Sequence, residues 1–85
     1  MKLKIFCVRD RATDQYGTPM FLVATGQAIR SFTDEINNPQ KENRLYGHPD
    51  DFDLYSLGEY DTHTGTFETT QPTQVAIGKM VKVRN

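Results

Sequence analysis

The chain has 85 residues, an apolar fraction of 36% and a net charge of −1, which leaves room for one domain, 1–85, with a thin core. A chain this short buries only about 60–65% of the surface its unfolded form exposes, so a second copy is expected to help, with a dimer favoured. The single cysteine, Cys7, excludes an internal disulfide and any metal cluster built on cysteines, and no stretch approaches the ~20 apolar residues of a membrane span.

The elements come in a readable order. Residues 2–8 alternate, with Leu3, Ile5 and Cys7 on one face and Lys2, Lys4, Phe6 and Val8 on the other, which is the period of a strand. Residues 9–18 are polar and close on Gly17-Thr18-Pro19. Met20–Ala24 is a second short strand, broken by Thr25-Gly26. Ala28, Ile29, Phe32 and Ile36 fall at spacings of one, three and four, giving one face of an amphipathic helix over about 27–37. Asn37-Asn38-Pro39 ends it, because proline cannot continue the hydrogen-bond ladder. Residues 39–50 read as a loop. Phe52–Tyr60 is the third strand, Asp61–Gly65 a turn with Gly65 suited to positive φ, and Thr66–Thr69 the returning strand, broken at Gln71-Pro72. Residues 75–83 favour a final strand, with a short helix over 72–79 as the alternative. The expectation is an α+β fold: an antiparallel sheet of four to five strands with one helix packed on it.

Met1-Lys2-Leu3-Lys4 resembles the basic start of a signal peptide, but the apolar run Ile5–Val8 is too short for one and Arg9-Asp10-Arg11 ends it. Cys7 reads as a small buried hydrophobe, and a chain without disulfides suits a reducing compartment.

Charge is unevenly spread. Residues 1–11 carry Lys2, Lys4, Arg9 and Arg11 against Asp10, and residues 79–85 carry Lys79, Lys82 and Arg84 with no acid. Residues 50–68 carry Asp50, Asp51, Asp53, Glu59, Asp61 and Glu68 with no base. The ends are basic and the middle acidic. If the two ends pair in the sheet, their positive charges converge.

No pattern supports catalysis. His48 precedes a proline in a loop, and His63 stands in a turn without a nucleophile to serve. Ser31 and Ser56 lack the Gly-x-Ser-x-Gly elbow. Asp50-Asp51-x-Asp53 and Asp61-x-His63 do not form a calcium loop, and no glycine-rich phosphate loop is present. The expectation is no enzyme, no metal and no cofactor. Nucleic acid is the remaining chemistry: binders of single strands combine cations with aromatic stacking platforms. There are nine aromatics. Tyr16 and Tyr46 lie in polar loops, and Phe6 shares a strand face with Lys2 and Lys4.

Three blocks go further: Met1–Asp10; Gln27–Asn37, with its Arg30-Ser31-Phe32-Thr33-Asp34 centre; and His48-Pro49-Asp50-Asp51-Phe52 running through Gly58 to Asp61, followed by Thr64-Gly65. Their order and content resemble the small nonstructural protein of gokushoviruses, single-stranded-DNA phages of the Microviridae, over nearly the whole chain. The resemblance implies a DNA-binding protein, or a switch from double-stranded replication to single-stranded genome synthesis, acting in the host bacterial cytoplasm. It marks no contact residues. Charge and aromaticity supply them: Lys2, Lys4, Lys82 and Arg84 first for phosphates, Arg9, Arg11, Arg30 and Lys79 second, and Phe6, Tyr16 and Tyr46 for bases. On this reading the acidic segment 50–68 lies away from the strand path, or else faces a protein partner. The rival expectation is an adaptor that binds the phage replication initiator or a host replication factor through that acidic hairpin. A capsid role fits less well, because the chain lacks a strongly basic composition.

Overall fold

In the computed structural model, which describes residues 1–83, the chain runs β1 (Lys2–Asp10), β2 (Gln15–Tyr16), β3 (Met20–Leu22), α1 (Thr25–Ile36), α2 (Arg44–Gly47), a 3-10 turn at Pro49–Asp51, β4 (Phe52–Asp61), β5 (Thr66–Ile77) and α3 (Gly78–Val81). The fold is α+β, an antiparallel sheet in the order β2–β1–β4–β5, with β3 following β2 along the same edge of β1. Gly17-Thr18-Pro19 interrupts what would otherwise be one strand. Gly17 donates its N–H to the Val8 carbonyl at 2.7 Å, and the gap lets β2 pair at Arg9–Asp10 and β3 at Lys4–Phe6.

The alternation in β1 decides what each face becomes. Phe6 and Val8 point to the same side as Met20, Leu22, Phe52 and Leu54, the side on which Ala28, Phe32 and Ile36 of α1 close the core. Phe6, Ala28, Ile36 and Leu54 are completely buried there. The start of α1 is held by Gln27, whose Oε1 accepts from the Val23 and Ala24 N–H groups at 3.1 and 3.2 Å. Its end is held by Asn37, whose Nδ2 donates to the Thr33 and Val81 carbonyls at 2.9 and 3.0 Å while its Oδ1 accepts from Val83 N–H at 2.7 Å. A 12-residue helix is only about 18 Å long, whereas the described molecule extends 45 Å along its longest axis. The helix therefore covers one end of the ribbon, and the far end, around Lys2–Lys4, Gly58–Asp61 and Thr66–Thr69, is left without a helix.

Three expectations change. First, Pro72 does not end the returning strand. β5 is an edge strand, so a residue without an N–H is tolerated, and the register slips there: Ser56 faces Thr73 while Gly58 faces Thr69. Second, residues 75–83 form no separate final strand. Val75–Ile77 complete β5, and the chain turns into α3 at Gly78, a buried glycine packed against the backbone of Pro49 and Phe52. Third, residues 39–50 carry a short helix, α2, whose N-cap Asn43 accepts from Leu45 N–H at 3.0 Å.

Candidate nucleic-acid interface

The helix-free face of the sheet is where the aromatic residues gather. Leu3, Ile5, Cys7 and Arg9 point to it from β1, and the register places Tyr60, Gly58, Tyr55 and Asp53 beside them on β4. Tyr16 comes from β2 opposite Arg9, Phe21 from β3 opposite Ile5, and Phe67 from β5 opposite Tyr60. The rings form two clusters. Tyr16 and Tyr55 meet edge to face at 5.5 Å. Phe21 meets Tyr60 at 6.0 Å and Phe67 at 6.3 Å, and Tyr60 and Phe67 stand 4.7 Å apart. Tyr16 and Tyr55, and likewise Phe21 and Tyr60, stand on strands that flank β1, so each pair roofs it. This accounts for Ile5 and Cys7 being 4% and 0% exposed on a face that carries no helix. Burial also pushes the Cys7 thiol pKa up. The roof itself is open to solvent: Tyr16 is 48% exposed, Phe21 43% and Phe67 58%. Exposed aromatic rings on an open sheet are the sequence-tolerant platform on which single-stranded bases stack.

The cations expected to hold phosphates are largely engaged. On the helix side of the far end, Lys2 pairs with Glu68 at 3.6 Å and Lys4 with Glu59 at 3.7 Å. Arg9 lies over the Tyr16 ring, its carbon Cζ 5.5 Å from the centroid, and bonds Asp14 at 2.5 Å. Those hydrogen bonds, to Asp14 first and then Tyr55, hold its guanidinium above its already high ordinary pKa. Arg11 reaches Asp53 at 3.2 Å and donates to the Asp50 carbonyl. Asp53 is 2% exposed; it also accepts from Gln74 Nε2 at 3.2 Å and from Gly78 N–H at 3.4 Å. It thereby ties β4, β5 and α3 together. The acidic segment thus does not stand apart from the basic first strand, as the sequence led one to expect. It pairs with it directly, Lys4 opposite Glu59 and Arg9 opposite Asp53, because β4 is the neighbour of β1.

Nor do the two basic ends converge. Lys2 lies opposite Asp61, whereas Ile77, just before α3, lies opposite Asp53. Eight residues of β4 separate these points, about 26 Å at strand rise. Lys82 sits over the Tyr46 ring, Nζ 3.3 Å from the centroid, and donates to the Ile36 carbonyl at 3.4 Å. Arg84 lies outside the described residues. Arg30 and Lys79 are exposed, on α1 and α3 and away from the aromatic face.

Of the three aromatics expected to stack, Tyr16 belongs to the open face. Phe6 does not: it is fully buried beneath α1, and no base can reach it. Tyr46 is exposed on α2 and already covered by Lys82. Sequence reasoning missed Phe21, Tyr55, Tyr60 and Phe67. Plain alternation would put Tyr55 and Tyr60, five residues apart, on opposite faces; a register shift in β4, where Ile5 faces Gly58 and Phe6 faces Ser56, brings both to this one, and spacing alone carries no signal of it. Among the described residues, no group of three or more His, Cys, Asp or Glu is placed to hold a metal ion, and no helix is long and apolar enough to cross a membrane. No curated protein and no solved structure matches the chain. Residues 3–83, a span that includes α1 and both aromatic clusters, match the family described as Phage ORF5 protein, and the chain belongs to that phage protein family.

Proposed function

We propose that this phage protein is a non-catalytic, nonstructural protein that binds single-stranded DNA during viral genome replication and supports the switch to single-strand synthesis, as in gokushovirus-like Microviridae. The observation that carries the reading is the roof of five rings, Tyr16, Phe21, Tyr55, Tyr60 and Phe67, on a sheet face that no helix covers. Stacking on it supplies affinity without base preference, which suits a protein that coats newly made strands. With most cations of β1 already paired, stacking carries more of the binding than charge. The host bacterial cytoplasm as the place of action, the absence of a cofactor and a homodimer belong to the same proposal. The near-zero net charge favours the adaptor alternative, but Glu59 and Glu68 of its acidic hairpin are paired with Lys4 and Lys2, which leaves them less free for a partner.

The test is fluorescence anisotropy with a labelled strand of about 30 nucleotides and with its duplex, for wild type and a Phe21/Phe67→Leu variant. Micromolar or tighter binding to the single strand, weaker binding to the duplex and loss in the variant are expected. No binding to the single strand at low salt sinks the proposal and turns the search to protein partners.

A further inference from the structure

Resting on the single-strand reading above, we infer that the aromatic face is two separate base-stacking subsites rather than one continuous platform, and that the unit one chain grips is a trinucleotide whose first and third bases are stacked. The register gives the spacing. Tyr16 stands opposite Arg9 and Phe21 opposite Ile5; Tyr55 stands opposite Cys7 and Tyr60 opposite Leu3. On both sides of β1 the two clusters are four residues apart, which is about 13 Å at strand rise. Rings touch within each cluster, Tyr16 with Tyr55 and Phe21 with Tyr60 and Phe67, and no ring contact joins the two among the described residues.

What lies between carries no exposed ring: Gly58 offers no side chain, and Ile5 and Cys7 lie buried below the rings on either side. A strand drawn out to about twice its duplex rise of about 3.4 Å per nucleotide crosses such a gap in two steps. The middle base then has no ring beneath it. Each subsite has a solvent-facing ring to offer: Tyr16 in one, Phe21 and Phe67 in the other. The subsites also differ chemically. Arg9 lies over Tyr16, so the first carries a guanidinium beside its ring. The second is wholly apolar apart from the Tyr60 hydroxyl.

Oligothymidylates of one to six nucleotides, titrated by calorimetry, test this. Affinity is expected to step up by at least about fivefold between the dinucleotide and the trinucleotide, when the second ring set is engaged, and to grow only gradually beyond it. Tyr16→Leu and Phe21→Leu keep an apolar side chain over β1 and remove a ring. Each is expected to abolish most of that step while lowering mononucleotide affinity by no more than about twofold, since the other subsite remains. Matching far-UV circular dichroism and melting curves show that the variants are folded, and Tyr16→Phe, which keeps the ring, is expected to retain the step. A smooth rise with length, or equal loss of mononucleotide and trinucleotide binding in either Leu variant, overturns the two-subsite arrangement while leaving single-strand binding intact. Failure of the wild type to bind even a 30-nucleotide strand overturns both.

Discussion

Phe6 and Phe67 have the same side chain and opposite fates, and exchanging each for leucine separates packing from recognition. Phe6 is fully buried against α1, Phe67 is 58% exposed. A near-volume-conserving exchange in the core costs up to about 1.5 kcal/mol. Losing the Phe67 ring forfeits its contacts with Tyr60 at 4.7 Å and Phe21 at 6.3 Å, at about 0.5–1.5 kcal/mol for an aromatic pair. A domain of this length has roughly 4–13 kcal/mol of stability to lose, so both variants stay folded, with melting temperatures lower by roughly 2–12 °C. Binding separates them. If Phe67 stacks a base, its loss costs about 1–3 kcal/mol, a factor of about 5–150 in Kd, while Phe6→Leu leaves Kd within about twofold once both are measured well below their melting points. Thermal denaturation and anisotropy on the same samples give both quantities. Equal loss of affinity in the two variants would refute the assignment of the helix-free face, since it would tie binding to general integrity rather than to exposed rings.

Three other outcomes follow from the same geometry. Gly58 has φ +130, and a Cβ there would lie 2.8 Å from Thr69 Cα and closer still to the Glu68 carbonyl; Gly58→Ala is expected to destabilise by at least about 2 kcal/mol in urea unfolding, and a change below about 0.5 kcal/mol would contradict this close approach of β5. Because Lys2, Lys4, Arg9 and Arg11 are ion-paired, single-strand affinity should fall with salt at a log–log slope nearer −1 than the about −2.8 of four phosphate contacts; a slope steeper than about −2 would mean that these pairs open on binding. Asp61 is held below its ordinary pKa of 3.8, chiefly by the His63 N–H that donates to its Oδ1, so its contribution to stability is present above about pH 4 and is lost as pH falls through the lowered folded value. Asp61→Asn keeps the turn acceptor without the titration, so the gap between wild type and variant should shrink with acid, and parallel stability curves from pH 5 to 2 would refute this.

Much of the frame was legible, for identifiable reasons. The alternation Leu3-Lys4-Ile5-Phe6-Cys7-Val8 shows on its own which residues share a face. The spacing of Ala28, Phe32 and Ile36 reports a helix with one apolar side, and Gly65, at φ +70, marks its turn. The site was less legible because it is made by pairing. Tyr16, Phe21, Tyr55, Tyr60 and Phe67 span some fifty positions of sequence, and only the antiparallel register of β1 with β2, β3 and β4, and of β4 with β5, brings them to one side. Charge misled for the same reason. The basic first strand and the acidic fourth look like separate surfaces until they are laid side by side, and then they cancel. Phe6 shares a face with Lys2 and Lys4, as its parity says. But α1 is short, so that face is core at one end and solvent at the other, and parity alone cannot tell which end a residue occupies.

The ring roof over β1 also makes the interior of this face readable from outside. Cys7 is the only thiol in the chain, and it is sealed under rings rather than under a helix. A thiol reagent reaches it only when the rings part, so its labelling rate counts roof openings rather than unfolding events. Whatever grips the rings from above must then slow that clock. The protein carries, in one buried sulfur, a native gauge of how often its aromatic face comes apart.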